Sequence, residues 1–468
     1  MKPDRSFWRP ATAVLALLIA LAPSAATARA AKPKAKSKTP ALTLPTPTVW
    51  ELKNGLKVAY VGLHDAPVVT VQVWYHAGSK DEPAGHHGSA HMFEHMMFRG
   101  TAHVRPQDHA KLLNQLGGVV NATTDADFTY FYNLLPAAYL DFAVKLEAER
   151  MRNLLFRPKM IDTEREVVKE ELRTALNNPI QAGLRTFFAT EFSTHPYGWL
   201  PGGNIQDLDN TTPADLQKFY NTYYQPNNAM LVVVGDVSED DVRAVADRYF
   251  GVIPAAAEPP RPAAKKAEPA QTKMRRVTAE PSRLGIVLAG YHTPAATSPD
   301  IYALQVLAMI LGQGDSSRLH RRLVREEKMA LQAGSNLLVR EDPGLFLLLG
   351  VFLDPSHTAK VESLLGDEVA KVQKHGVTAK ELSKAKKQLL STFAFGTESV
   401  QGMAKEIGTS WVLTGDPSTY LSSSLQKIRA VTAADIKRVA QTYLKKENLT
   451  VVIIPVQGAA KTPTEGAK

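Results

Sequence analysis

The stretch Thr212-Pro213-Ala214-Asp215-Leu216 through Asn228 to Val232 aligns without a gap, 220 positions on, with Thr432-Ala433-Ala434-Asp435-Ile436 through Asn448 to Val452. Each copy reads as a helix followed by a short run rich in β-branched residues, Met230 to Val234 and Thr450 to Ile454, as an interior strand requires. A repeat at this period implies a duplicated domain. With 468 residues, 44% of them apolar, the chain can bury more than one core.

Between the copies, residues 252–276 run through Pro254, Pro259-Pro260, Pro262 and Pro269 with no apolar periodicity, and read as an interdomain linker. It separates a first domain at 46–251 from a related second domain at 277–456. In the first, Trp50 to Leu52 and Leu56 to Leu63 flank Asn54-Gly55, which predicts a two-residue hairpin turn, and Val68 to Tyr75 supplies a third strand. Helical patterns follow at 89–98, 106–116, 137–154 and 160–177. Strands and helices are grouped rather than alternating, so the expected fold class is α+β: two homologous α/β-sandwich domains related by duplication.

The ends carry most of the charge. Lys2, Arg5 and Arg9 precede an apolar run from Ala13 to Ala22 and small-residue cleavage sites ending at Ala28 and Ala30, which reads as a secretory signal peptide over 1–30. A mitochondrial presequence and an uncleaved N-terminal anchor are the competing readings. No later segment approaches the roughly 20 apolar residues of a spanning helix, so no membrane span is expected once the signal is cleaved. Of the formal +9, residues 1–30 hold +3, the basic segment 31–38 holds +4, the linker +4 and the tail 457–468 +1. The body is therefore slightly acidic, which argues against nucleic acid as a partner. The flexible basic segment is expected over 31–45. With no cysteine, disulfides and thiolate ligands are excluded, and any metal must sit on His, Asp or Glu.

His91-Met92-Phe93-Glu94-His95 supplies such residues. On a helix His91 and His95 project from one face, and Glu94, three from His91, borders it. Neutral imidazoles suit zinc, and an adjacent carboxylate can take a proton from water, so Glu94 reads as base rather than ligand. A surface helix with two incidental histidines is the plain alternative. His86 and His87 lie between Gly85 and Gly88, outside the helix, and flank the site. A catalytic zinc needs a third protein ligand. The acidic pattern at 160–177 turns Val167, Val168 and Leu172 to a core and sets Glu164 and Glu171 two turns apart on one stripe, where Glu171 could reach metal and Glu164 support it from behind. An ordinary solvated acidic helix would look the same.

The run Gly88-Ser89-Ala90-His91-Met92-Phe93-Glu94-His95-Met96-Met97-Phe98-Arg99-Gly100-Thr101 resembles the signature of the pitrilysin/insulinase family of metallopeptidases. So do Gly117-Gly118 with Asn121-Ala122, the Glu164 to Glu171 block, His195-Pro196-Tyr197-Gly198, and Tyr223 through Asn228 to Gly235-Asp236, in family order. The resemblance implies one zinc per chain, held by His91, His95 and Glu171, with Glu164 supporting and only the first domain carrying metal. It also implies two chains closing around a chamber that admits unfolded or short polypeptides as an added strand. Val119 to Thr124 would be the receiving edge, with Asn121 and Ala122 touching substrate. Members of the bacterial type suggest the periplasm.

The family usually carries an arginine and, seven positions later, a tyrosine in the second domain, both binding the substrate backbone. Arg325 stands here, but Met329 replaces a usual glycine and Gln332 the tyrosine. A heterodimer in which a zinc-less relative supplies the missing pair, or a homodimer that works with Gln332, are both consistent with this departure. A non-catalytic scaffold subunit and a metalloenzyme of other chemistry on an unrelated fold are the alternatives from other classes.

Overall fold

The computed structural model describes residues 44–261 and 267–458. The expected signal peptide, residues 31–43 of the basic segment, 262–266 of the linker and 459–468 of the tail lie outside the described residues. Among those described, no helix is long and apolar enough to cross a membrane.

Six strands form the first sheet, in the order β1 (Thr48–Glu51), β2 (Lys57–Gly62), β6 (Ala229–Gly235), β3 (Val68–Tyr75), β5 (Thr129–Pro136), β4 (Val119–Thr124). Five form the second: β7 (Arg275–Thr278), β11 (Leu449–Ile454), β8 (Gly285–His292), β10 (Leu345–Phe352), β9 (Gln332–Leu338). With β1 set aside the two orders coincide, including the single parallel pairs, β2 with β6 and β7 with β11. Central strands such as β6, buried at every residue, are continuous apolar runs because both faces are covered.

The repeated residues are those that fix local geometry. Thr212 with Asp215 and Thr432 with Asp435 form reciprocal capping boxes at equivalent helix starts. At the ends of those helices, Asn228 donates to the carbonyls of Tyr223 and His76, and Asn448 to those of Tyr443 and His292. Each amide ties a helix end to the end of the strand beside the one that helix feeds, β3 in the first half and β8 in the second.

One face of each sheet packs against helices of its own half, giving a core around Val71, Val73, Phe93 and Phe131 and another around Val287, Leu304, Leu307 and Phe346. The opposite faces are covered reciprocally. Helix Pro179–Glu191 of the first half lays Leu184, Phe187 and Phe188 on Leu288, Leu347 and Ile454. Helix Val400–Thr414 of the second lays Met403, Ile407 and Trp411 on Trp74, Met230 and Val232. Gly408 permits this close approach: a Cβ there would stand 2.1 Å from the Trp74 ring. Large side chains buried in this way each contribute roughly 1.5–3 kcal/mol.

A polar seam accompanies the exchange. Lys80, 3% exposed, pairs with Asp127, which is fully buried, and with Glu341 and Asp342 of the second half. Arg340 pairs with Asp125 and Asp127, and the Tyr197 hydroxyl donates to Asp127. The segment between the halves is also tied down: Arg261 donates to the His76 carbonyl and to Asn228 Oδ1, at 2.6 Å each. Glu268 accepts the backbone N–H groups of Ser193, Thr194 and His195.

Two local expectations are corrected. The Asn54-Gly55 turn is a three-residue loop, because Leu52 still pairs with Leu56, and only Gly55 takes a left-handed φ of +85°. Asn54 instead turns inward and donates to the Phe250 and Ile253 carbonyls, 2.8 Å each. On the acidic helix, Pro158–Leu176, the buried stripe is Ile161, Glu164, Val168 and Leu172, and Val167 points to solvent at 38% exposure. Val167 lies about 100° around the helix from Val168, off that stripe.

Candidate active site

Helix Ser89–Met96 begins at Gly88, whose left-handed φ of +108° lets the chain enter without a side-chain cap of its own. Glu82, 4% exposed, supplies the cap from outside by accepting the N–H groups of Gly88 and Ala90 at 2.9 Å each. Burial pushes its carboxyl up to about 8 against the pull of those two bonds. Every residue of the helix is buried, and it packs against the acidic helix and against β4.

These contacts bring together the side chains singled out from the sequence. Glu171 Oε2 stands 3.6 Å from His95 Nε2 and 3.9 Å from His91 Nε2. Among the described residues, His91, His95 and Glu171 are the one group of three whose donor atoms all lie close enough, within 4.8 Å, to hold a metal ion. Tetrahedral zinc with bonds of about 2.1 Å sets its ligands about 3.4 Å apart. The group therefore fits zinc by donor type and by spacing, and Glu171 Oε2 is buried without a hydrogen bond, free to ligate. Glu94 Oε2 lies 4.0 Å from His91 Nε2, beside the group.

Glu164, 2% exposed, sits behind His95, its Oε2 3.5 Å from Nδ1, while Arg99 Nε holds its other oxygen at 2.7 Å. The two histidines differ electrostatically. Burial lowers His91 below the ordinary imidazole range. Burial acts the same way on His95, but the facing carboxylates of Glu164 and Glu171 outweigh it and raise that imidazole to about 9. Two carboxylates facing one ring make a place for positive charge.

β4 is the terminal strand of its sheet. Asn121 is exposed, and its Oδ1 accepts the Ala122 N–H at 2.9 Å. Ala122 is 5% exposed with its methyl in the first core, so only its main chain faces outward. Arg325 pairs with Asp315 at 3.5 Å, and Gln332 opens β9 opposite Val351. No hydrogen bond or ion pair joins either to the histidine cluster among the described residues. His87 Nδ1 contacts Asp207 at 2.8 Å and stacks on Trp199, at the rim. Sequence reasoning missed Glu82 and the role of Arg99. Only Arg99 had a local signal, since it stands four residues after His95 in the same motif-bearing run.

Comparison with known proteins agrees with this geometry. The pattern described as insulinase (peptidase family M16) matches residues 57–198, and that described as peptidase M16 inactive domain matches 210–389. The zinc protease PqqE of Helicobacter pylori is 33% identical, over 88% of this chain and 93% of that one. An uncharacterized zinc protease of Streptomyces coelicolor is 26% identical, over 87% and 89%. Among solved structures, a protease from Helicobacter pylori superposes with a TM-score of 0.83 at 33% identity, covering 88% of this chain and 99% of that one. The periplasmic protease PqqL of Escherichia coli gives 0.74 at 21% identity, a likeness of fold in which 88% of this chain matches 48% of that one. Identity and coverage of this extent, running through both halves, place the chain in the insulinase family, peptidase family M16.

Proposed function

We propose that the chain is a zinc-dependent endopeptidase in which His91, His95 and Glu171 hold one zinc ion and Glu94 is the general base. The observation that carries this is the convergence of three donor atoms on one point with a fourth, non-ligating carboxylate beside them. Zinc, when bound, polarises a carbonyl and acidifies water. Glu94 then accepts the proton from water and passes it to the departing amide nitrogen. Glu164, held by Arg99, fixes the orientation of the His95 ring. The free edge of β4 takes the substrate as an added strand, with the Ala122 N–H exchanging the Asn121 side chain for a substrate carbonyl.

In this reading the substrates are unfolded or short polypeptides, the chamber forms from two chains, and the site of action is the periplasm. Arg325 lies outside the histidine cluster and Gln332 replaces the usual tyrosine, so either a zinc-less relative supplies the arginine-tyrosine pair or Gln332 serves in the tyrosine's place in a homodimer. The test compares wild type and Glu94→Gln at matched zinc occupancy on a long unstructured peptide, with products read by mass. A fall of about 10²–10⁴-fold in kcat is expected. Equal rates would refute the role of Glu94, and zinc binding without cleavage by the wild type would direct the search to a partner chain.

A further inference from the structure

His95 and His91 are treated differently by their surroundings. Behind His95 the chain places a carboxylate and then a guanidinium: Glu164, then Arg99. Behind His91 it places a guanidinium alone. Arg185, on helix Pro179–Glu191, is half-buried and donates once, from Nη1 to the Gly203 carbonyl at 3.1 Å. No carboxylate among the described residues lies within ion-pairing distance of it. Burial alone, with no compensating partner, depresses its pKa.

The space between the two groups is preserved by glycine. Gly202 adopts a left-handed φ of +95°, and a Cβ built there would stand 3.7 Å from Arg185 Nη2 and 3.7 Å from His91 Nδ1. Chain neighbours apart, no other heavy atom comes within 4 Å of that point. His91 is 7% exposed, and its Nδ1 is buried without a hydrogen bond. With a metal ion on the Nε2 that faces Glu171, a neutral His91 carries its proton on Nδ1. Two donors, one of them cationic, therefore converge on one small gap. Metal-ligating histidines nearly always donate their second N–H to a carboxylate, a carbonyl or water.

We infer that Arg185 and His91 Nδ1 form a seat for a carboxylate that the chain itself does not supply, so that an external carboxylate completes the support of His91 as Glu164 does that of His95. Its source is either a carboxyl group of the bound polypeptide or a small free carboxylate. The seat acts on the metal through His91, and Arg185 is a positioning residue.

This inference rests on the zinc reading for its effect, and the test separates the two. Zinc is titrated into the metal-free full chain against a chelating indicator, in sodium formate and in sodium chloride of equal ionic strength. Formate is expected to tighten zinc binding roughly tenfold in the wild type and to have no effect in Arg185→Gln. Zinc bound without any response to formate in the wild type, a result that needs no variant, would overturn the inference alone, as would an equal response in both proteins. No zinc binding at all would overturn the zinc reading. A peptide with a free C-terminal carboxylate is then compared with its amidated form. A lower KM for the free acid, lost in Arg185→Gln, assigns the seat to substrate. Equal KM values with the formate response intact assign it to free carboxylates.

Discussion

The helix that follows β3 in the first half, Ser89–Met96, buries His91, Glu94 and His95. Its counterpart after β8, Asp300–Gly312, buries Ile301, Leu304, Leu307, Ile310 and Leu311 and no histidine or carboxylate. One strand order thus carries either a polar helix or an apolar one. The scaffold is held by what both halves repeat, the capping boxes, the Asn228 and Asn448 ties and the exchanged helices. The polar helix persists only because neighbours answer its groups: Glu82 at its start, Glu164 and Glu171 across from its histidines, Arg99 behind them. Buried polar groups left unanswered cost several kcal/mol, which is why the chemistry needs a second helix and not a motif alone.

If the halves depend on each other, the seam between them is the place to break that dependence. Asp127→Ala leaves Lys80 and Arg340 without their shared buried carboxylate and should cost about 3–5 kcal/mol in denaturant unfolding. Burial pushes Asp127 up, but Lys80 and Arg340 outweigh it and hold the carboxyl at about 2. That lies below the unfolded value of about 3.9, so its contribution is full above about pH 4 and lost as pH falls toward 2. A loss under about 1 kcal/mol would mean that apolar contacts alone join the halves.

The exchanged helices offer a finer comparison. In Gly408→Ala the new methyl meets the Trp74 indole, whose Nε1–H donates to Gln72 and whose ring stacks on Tyr130. A cost of about 1–3 kcal/mol is expected. In Gly183→Ala it meets Cδ1 and Cγ1 of Ile454, at 2.3 and 2.7 Å, an aliphatic chain that yields more readily than a stacked indole, and the cost should sit at the low end of that range, about 1 kcal/mol. Equal thermal shifts for the two variants would contradict this asymmetry.

A pH-dependent test concerns Glu82, the carboxylate that caps the polar helix from outside. Glu82 has its folded pKa raised to about 8, above the unfolded value of about 4.3, so the wild type loses stability as pH rises between the two. Glu82→Gln cannot ionise but loses one of two backbone bonds. Its melting temperature relative to wild type should therefore rise from about pH 5 to about pH 8. Parallel profiles would mean that Glu82 is not the group titrating.

What could be read from the sequence was local or periodic. The repeat showed because caps such as Thr212 and Thr432 tolerate few residue types, and the β4 boundaries followed from the Gly117-Gly118 turn. His91, Glu94 and His95 follow from helical spacing, whereas choosing Glu171 over its acidic neighbours also needed the family resemblance. The exchange of helices Pro179–Glu191 and Val400–Thr414 was not legible, since an apolar stripe states that a face is buried and not which sheet covers it. Glu82 and Arg185 act across loops with no periodicity to mark them. Val167 was misassigned because adjacent valines cannot both lie on one narrow stripe, and Asn54 because the dipeptide rule takes a two-residue loop for granted.

The most direct measurement is anomalous scattering at the zinc edge from crystals of the full chain grown with zinc. One strong peak per chain is expected, between His91 Nε2, His95 Nε2 and Glu171 Oε2, and none in the second half. A peak elsewhere, or none from zinc-saturated protein, would contradict the zinc reading.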